Sequence, residues 1–150
     1  KKLNEKKAER NMFIKTEMVA ADEKIANFFK IDAGRMVFKL SKLKGTAEDP
    51  IVYFESFFHP RIGLGKEDDF SIPLYPMLEA KFGIVVVRSN ENILAKLAGK
   101  MGTKLKISAQ APILFRERFV YDPGDRPIEY NVGYYRSDKF TYSIDIKKNL

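Results

Sequence analysis

The fold is decided by the stretch Pro112-Ile-Leu-Phe-Arg-Glu-Arg-Phe-Val-Tyr-Asp122, the turn Pro123-Gly-Asp-Arg-Pro127 and the return Ile128-Glu-Tyr-Asn-Val-Gly-Tyr-Tyr-Arg136. Apolar and polar residues alternate on both sides of the turn, which predicts antiparallel strands because side chains alternate between sheet faces. A third strand is expected over Phe140–Ile146, giving a meander. Glu129, Asn131 and Tyr135 share one parity and should project from one face. A carboxylate, an amide and a phenol there predict a ligand-sensing sheet rather than a dry core.

Outside this stretch, hydrophobic spacing predicts three helices and three more strands. Helices are expected over Ala20–Phe29 (N-cap Asp22), Ile72–Lys81 and Asn90–Leu97, and strands over Met36–Lys44, Ile51–His59 and Gly83–Arg88. This order indicates an α+β domain whose mainly antiparallel sheet is flanked by helices. Residues 1–15, charged and polar at their start, are expected to be a linker remnant. Residues 16–150 then form one folded domain.

Composition and charge exclude several classes of protein. The 150 residues contain no cysteine, which rules out disulfides, thiolate metal sites and cysteine nucleophiles. We find no apolar run of membrane-spanning length and no signal peptide, so we expect a cytoplasmic protein without membrane contact. The net charge of +7 is concentrated partly in the first ten residues and otherwise scattered among acids. The sequence lacks the clustered cations and the helix-turn-helix pattern that would favour DNA binding by this segment.

Two lysines extend the apolar face of the strand predicted over Met36–Lys44. Met36, Phe38 and Leu40 share their parity with Lys42 and Lys44. The strand could simply emerge into solvent here, with the lysine stems covering apolar surface. Alternatively, the two ammonium groups form an anion site at the mouth of a cleft. Both interpretations stay open on the residues alone.

Other polar residues also have two interpretations. Glu55 shares its strand face with apolar residues, so it should either pair with one of the two lysines across the hairpin or accept a hydrogen bond from a ligand hydroxyl. Arg136 and Asp138 are expected to form a local ion pair at a strand end. His59 is expected to be a turn or interface residue rather than a catalytic base.

We find no pattern that indicates catalysis. The sequence lacks a metal-ligand cluster and a Gly-x-Ser-x-Gly elbow, and Gly63-Leu-Gly65 is too short to be a phosphate-binding loop. We therefore expect neither an enzyme nor a bound cofactor.

Several short motifs occur in an order that is typical of one known family. They are Lys42-Leu-Lys44, Gly45 and Pro50, Glu55-Ser-Phe-Phe-His-Pro60, Leu74-Tyr75 through Phe82-Gly83, and Pro127-Ile-Glu-Tyr130 through Tyr135-Arg-Ser-Asp-Lys-Phe140. Between Thr16 and Ile146 the chain resembles the UTRA domain, the effector-binding domain of GntR-type bacterial transcription regulators of the HutC subfamily. That domain shares the chorismate lyase fold.

The resemblance implies an effector-binding and dimerisation domain with a small, anionic effector, such as a sugar phosphate or an organic acid. It implies a site formed by Lys42, Lys44, Glu55, Ser56, Ser71, Glu129, Asn131 and Tyr135. Operator DNA would be bound only through a missing N-terminal winged helix-turn-helix domain. The alternatives are a small enzyme of the chorismate lyase type and a protein-interaction module.

Two departures from the family pattern concern the site. The family usually has arginines where Lys42 and Lys44 stand, and lysine lacks the bidentate fork of arginine. Pro73 replaces a small polar residue at the helix start, which leaves Ser71 as the nearest hydroxyl. For a homodimer, the sequence offers Phe57, Phe58 and the apolar residues of Phe140–Ile146 as interface candidates.

Overall fold

The computed structural model describes residues 10–46 and 49–148, over which six strands and three α-helices form an α+β fold. The elements are β1 (Arg10–Ala20), α1 (Glu23–Phe29), β2 (Met36–Thr46), β3 (Asp49–Phe58), α2 (Leu74–Phe82), β4 (Arg88–Leu97), α3 (Met101–Leu105), β5 (Pro112–Tyr121) and β6 (Pro127–Arg136). One sheet contains all six strands in the order β1-β2-β3-β6-β5-β4, and every neighbouring pair is antiparallel. The predicted fold class is confirmed.

The β5–β6 hairpin forms as the sequence predicts. Its turn is organised by Asp122, whose carboxylate accepts hydrogen bonds from the backbone N–H groups of Gly124 and Arg126, both at 2.9 Å. Asp125 adopts a left-handed conformation (φ 60°), which Asp tolerates better than most residues. This turn fixes the register that places Arg116 opposite Gly133 and Arg118 opposite Asn131.

Helices cover both faces of the sheet. The predicted N-cap is confirmed, since Asp22 Oδ1 accepts a hydrogen bond from the Ile25 N–H at 2.9 Å. Helix α1 packs on one face, where Phe29 joins a core with Tyr130 and Val132. Helix α2 packs on the other face, where its buried residues are Met77 and Leu78. The first turn of α2 therefore faces the sheet, and the strands bound the space between them on one side.

One interface candidate is buried within the chain itself, and a second is partly covered. Phe58 is fully buried in the core beneath α2, and Phe57 packs with the α1 cluster on the opposite face. Phe58 is therefore wrong as a candidate for a dimer interface, while Phe57 stays a prediction.

Two predicted elements in the middle of the chain differ from the structure, and one helix was not predicted. The helix expected over Asn90–Leu97 is wrong, because this segment belongs to strand β4 and pairs with β5 along its length. Its i, i+3, i+4 apolar spacing is overridden by pairing with a neighbouring strand. The strand expected over Gly83–Arg88 is also wrong, since regular pairing begins only at Arg88. Helix α3 was not predicted, as its five residues are too short for a periodic signal.

The ends of the chain also differ from expectation. Residues 10–15, expected in the linker, form the start of β1, while residues 1–9 lie outside the described residues. The strand expected over Phe140–Ile146 is wrong: the segment has no regular pairing, although Phe140 packs on Tyr135 with ring centroids 4.4 Å apart. Within the described part of the chain, no helix has the length and apolar character needed to cross a membrane.

Candidate functional site

A cavity of about 290 Å³ lies between the sheet and the start of α2. It is lined by Leu40, Lys42, Lys44, Phe54, Ser56, Pro73, Leu74, Tyr75, Pro76, Arg116, Arg118, Glu129 and Asn131. The strand residues among them belong to β2, β3, β6 and β5 and lie on the sheet face that α2 covers. The others lie at the start of α2. Four of the lining residues are cations and one is a carboxylate, so the lining has a strong excess of positive charge.

A second cavity of about 530 Å³ adjoins the first. The two share the side chains of Lys42 and Lys44 and the start of α2 at Pro73 and Leu74. The second cavity adds Arg10, Asn11, Ser71 and Ile72 to its lining. The two lysines therefore stand between the two spaces, half-buried, rather than at a strand end that leaves the protein.

The floor of the first cavity is a hydrogen-bonded chain across three strands. Arg116 Nη2 donates to Asn131 Oδ1 at 3.2 Å, and Asn131 Nδ2 donates to Ser56 Oγ at 2.6 Å. The Arg116 guanidinium also lies 5.7 Å from the ring centre of Phe54 and 5.4 Å from that of Tyr135. Arg116 Nε is buried and has no hydrogen-bond partner. The floor thus holds an arginine with an unsatisfied donor.

Glu129 is the carboxylate of the cavity, and it is only 2% exposed. Burial raises the pKa of Glu129, while the hydrogen bond from Tyr75 and the positive charges of Arg118 and Arg116 oppose that rise. The Tyr75 hydroxyl donates to Glu129 Oε1 at 2.7 Å. Burial, followed by the nearby Glu129 charge, raises the pKa of Tyr75, so its phenol remains a hydrogen-bond donor at neutral pH. The pair joins α2 to β6 inside the cavity.

The pKa of Lys42 is subject to opposing influences. Burial lowers the pKa of Lys42, and so does the neighbouring Lys44 charge, whereas Glu129 and Asp69 raise it. Lys44 Nζ lies 5.8 Å from the Phe54 ring centre. An ammonium that is half-buried next to another ammonium is stabilised when an anion binds nearby. The local electrostatics therefore favour anion binding.

Five of the eight predicted site residues line the first cavity. They are Lys42, Lys44, Ser56, Glu129 and Asn131. Ser71 lines the second cavity, where its hydroxyl donates to Asp69 Oδ1. Tyr135 is not among the lining residues, but it lies beneath Arg116 and packs against Phe54.

Glu55 is placed on the opposite face of the sheet. Its carboxylate accepts a hydrogen bond from the Tyr53 hydroxyl at 3.0 Å and forms an ion pair with Lys39 at 3.3 Å. The expected pairing with Lys42 or Lys44 is wrong because β3 directs Phe54 and Ser56, not Glu55, toward the cavity. The carboxylate therefore lies on the face of the sheet opposite the candidate site.

Three polar side chains that line the cavity were not predicted: Tyr75, Arg116 and Arg118. The signal for the arginines was present, because they are two residues apart on a predicted strand and therefore share a face. Arg118 Nε donates to Glu91 Oε2 of β4 at 2.6 Å. Because β4 was expected to be a helix, the sequence did not predict that Glu91 lies next to Arg118.

Two structural expectations are confirmed outside the cavity. Arg136 and Asp138 form an ion pair at 2.7 Å. His59 makes turn contacts, since its Nδ1 accepts from the Arg61 N–H and its Nε2 lies 3.1 Å from the Phe29 carbonyl oxygen. Among the described residues, no cluster of His, Asp and Glu could hold a metal ion.

Comparison with protein families gives one match that spans most of the chain. The model of the UTRA domain matches residues 5–141. Among curated proteins, the chain is similar to the HTH-type transcriptional regulator GgaR of Escherichia coli K12, with 23% identity over 132 residues. The aligned part is 87% of this chain and 52% of the relative, so the chain spans about half the length of the curated relatives it matches.

Solved structures share the fold. PhnF from Mycobacterium smegmatis superposes with a TM-score of 0.84 and 22% identity, covering 95% of this chain and 64% of that one. A structure described as the ligand-binding domain of a GntR-family transcriptional regulator from Bordetella bronchiseptica has a TM-score of 0.79 and 25% identity, covering 93% of this chain and 92% of that one.

Proposed function

This chain belongs to the UTRA domain family, the ligand-binding effector domain of GntR-family transcription regulators, and we propose that its effector is a small anion bound by Lys42 and Lys44. The relatives described above are named as regulators rather than enzymes. The domain is accordingly a regulatory one, and the alternative of a chorismate lyase-type enzyme is set aside. We assign it to the HutC subfamily and expect it to act in the cytoplasm.

The excess of cations in one cavity is the observation that carries the proposal. Lys42, Lys44, Arg116 and Arg118 line it with a single carboxylate, Glu129. Charges near a protein surface interact with about 4 kcal/mol at 4 Å when the effective dielectric constant is ~20. An anion inside this cavity would therefore be attracted by several groups at once, and water would screen those groups less than at an open surface.

The remaining polar groups suggest what else the effector carries. Glu129 accepts from Tyr75 and could accept from a hydroxyl or amino group of a ligand. The volume of about 290 Å³ is at the small end for ligand sites, so it suits a compact metabolite. A sugar phosphate or a small hydroxylated or aminated organic acid combines these properties.

A thermal-shift screen tests this proposal. Sugar phosphates and small carboxylic acids should raise the melting temperature, while uncharged sugars of the same size should not. A ligand at a hundredfold excess over its dissociation constant stabilises the folded state by about 2.7 kcal/mol. If neutral compounds stabilise the domain and anions do not, the proposal is wrong.

We further propose that two copies of this domain associate. Support comes from the segment after β6, where Tyr142, Ile144 and Ile146 alternate with polar residues and are 46%, 64% and 84% exposed. Alternating apolar side chains without a partner strand suit pairing with a second copy. Two-fold symmetry would also match a regulator that binds two half-sites of DNA.

DNA binding is proposed for a different part of the regulator. The name of the curated relative refers to a helix-turn-helix, and the chain matches about half of that relative. None of the cavity residues belongs to a helix-turn-helix, and we propose that an N-terminal winged helix-turn-helix domain contacts the operator. The effector would then change operator affinity through the connection that precedes β1.

A further inference from the structure

We propose that Arg116 is a second anion-binding point, so that the effector carries two anionic groups, one at each end of the cavity. The first group would contact Lys42 and Lys44, and the second would contact Arg116. This inference rests on the proposed function, because it specifies the chemistry of the same ligand.

The register of the sheet places Lys42 and Arg116 in one line. Lys42 pairs with Phe54, Phe54 pairs with Gly133, and Gly133 pairs with Arg116. The four residues thus form a row that crosses β2, β3, β6 and β5. Since adjacent strands are ~4.8 Å apart, the backbones of Lys42 and Arg116 are separated by about 14 Å. The Arg116 guanidinium and the Lys44 ammonium lie 5.7 Å and 5.8 Å from the Phe54 ring centre, so a ligand of a few carbon atoms can span the two cations.

The middle of this row is shaped for the body of a ligand. A Cβ atom on Gly133 would lie 3.1 Å from the Phe54 ring and 2.9 Å from the Tyr135 ring. Glycine therefore allows both rings to lie close to the strand, and the Arg116 guanidinium packs against both. The apolar part of the lining at this row is therefore Phe54, which lies between Lys42 and Arg116 in the register of the sheet.

The Arg116 guanidinium has a hydrogen-bond donor that is not used within the protein. Its Nη2 donates to the neutral amide of Asn131, while Nε is buried without a partner. A buried donor without an acceptor is unfavourable, and a turn of the guanidinium that brings Nε–H to an incoming carboxylate or phosphate oxygen would remove that cost. A guanidinium can also bind such a group through two parallel hydrogen bonds.

The neighbouring Arg118 provides an internal comparison. It also lines the cavity, but its Nε already donates to Glu91 at 2.6 Å. Among the described residues, no carboxylate lies within ion-pair distance of Arg116. Of the two arginines, Arg116 is therefore the one whose charge is left for a ligand, while Asn131 and the two rings hold it in place.

Pairs of simple acids of equal length test the inference. Succinate, glutarate and adipate should be compared with butyrate, valerate and hexanoate at constant ionic strength, with affinities taken from thermal shifts. We expect at least one dicarboxylate to bind more than tenfold tighter than its monocarboxylate. In Arg116→Gln the difference should fall below threefold. Arg88→Gln, which changes an exposed arginine of β4 outside the cavity, should keep the full difference.

A second measurement does not depend on the variant folding. In the unaltered domain, the Nε–Hε NMR signal of Arg116 should shift with the dicarboxylates and stay in place with the monocarboxylates. Dicarboxylates that bind no tighter than monocarboxylates, or a preference that survives in Arg116→Gln, would overturn the inference but leave the anion site at the lysines intact. Failure of inorganic phosphate and of both acid series to bind would overturn the proposed function as well.

Discussion

The Tyr75 hydroxyl donates a hydrogen bond to Glu129 across the cavity, and this contact joins helix α2 to the central strand β6. Tyr75 lies in the first turn of α2, and Glu129 is fully buried in the sheet. A ligand group that donates to Glu129 would compete with Tyr75 for the same carboxylate. Effector binding could thereby alter how α2 is held, which links ligand recognition to the conformation of the domain.

Replacing Glu129 with Gln should change how stability depends on pH. Burial raises the pKa of Glu129 in the folded state above the ordinary value of 4.5. The folded state then binds more protons than the unfolded state, so this group lowers stability as the pH rises from 4.5 through the raised folded pKa. Glu129→Gln should reduce that decline, measured by urea unfolding between pH 4 and 8.

The control for this change is Glu79→Gln, which alters an exposed residue of α2. It should leave the pH profile of the wild type unchanged. A decline of equal slope in Glu129→Gln and wild type would show that Glu129 does not titrate with a raised pKa.

Removing the Tyr75 hydroxyl should destabilise the domain. Tyr75→Phe leaves the aromatic ring in place but removes one of the hydrogen bonds that the buried Glu129 accepts. Removing one partner of a buried hydrogen bond costs about 1–3 kcal/mol, and we expect a loss in that range at pH 7. Urea unfolding measures it. In the Glu129→Gln background the same substitution should cost less; an equal cost in both backgrounds would contradict a specific Tyr75–Glu129 interaction.

Asp122 should stabilise the β5–β6 hairpin at neutral pH. Burial alone would raise the pKa of Asp122, but hydrogen bonds from Arg126 and Gly124 outweigh this and hold it below the ordinary value of 3.8. Its contribution is therefore complete above pH 3.8 and is lost as the pH falls through the folded pKa. Asp122→Ala should cost about 1–3 kcal/mol at pH 7, because the Gly124 and Arg126 N–H groups and the Arg126 guanidinium lose their shared acceptor.

This effect should shrink in acid. The difference in unfolding free energy between Asp122→Ala and wild type should be smaller at pH 2.5 than at pH 7. Asp145→Ala, a change in an exposed residue of the C-terminal segment, should have no effect at either pH. A difference for Asp122→Ala that is independent of pH would disprove the ionised, hydrogen-bonded role of the carboxylate.

Sedimentation should show a dimer without added ligand. The expected species has twice the mass of the 17.3 kDa chain at micromolar concentration. Ile144→Glu with Ile146→Glu should shift it to monomer, because charges would enter the proposed contact. Leu97→Glu, at a position 60% exposed on β4, is the matched control and should remain dimeric. A wild-type monomer at high concentration would contradict association through this domain.

Strand alternation made much of the sheet predictable from the sequence. The β5–β6 hairpin and strand β2 have period-two patterns next to turn residues. Parity alone placed Lys42 and Lys44 on one face of β2, and Glu129 and Asn131 on one face of β6. Strand β4 could not be predicted, because Ile93, Leu94 and Leu97 have helical spacing and only pairing with β5 decides their conformation.

The cavity itself was predictable only in part. Alternation within one strand shows which of its residues share a face, but not which face of the next strand lies on the same side of the sheet. Glu55 was therefore assigned to the wrong side. The missed Arg116 depends on register across the hairpin, which places it opposite Gly133. That alignment is set by the Asp122 turn, and hydrophobic spacing carries no signal for it.

The binding of the best anionic ligand from the screen, measured by isothermal titration to the Lys42→Met/Lys44→Met variant, tests the central claim most directly. Removing both ammonium groups should weaken affinity by at least a hundredfold while leaving the melting temperature without ligand nearly unchanged. Lys100→Met/Lys148→Met removes the same charge from exposed positions outside the cavity and should bind like wild type. An affinity in the Lys42→Met/Lys44→Met variant equal to that of wild type would contradict an anion site in this cavity.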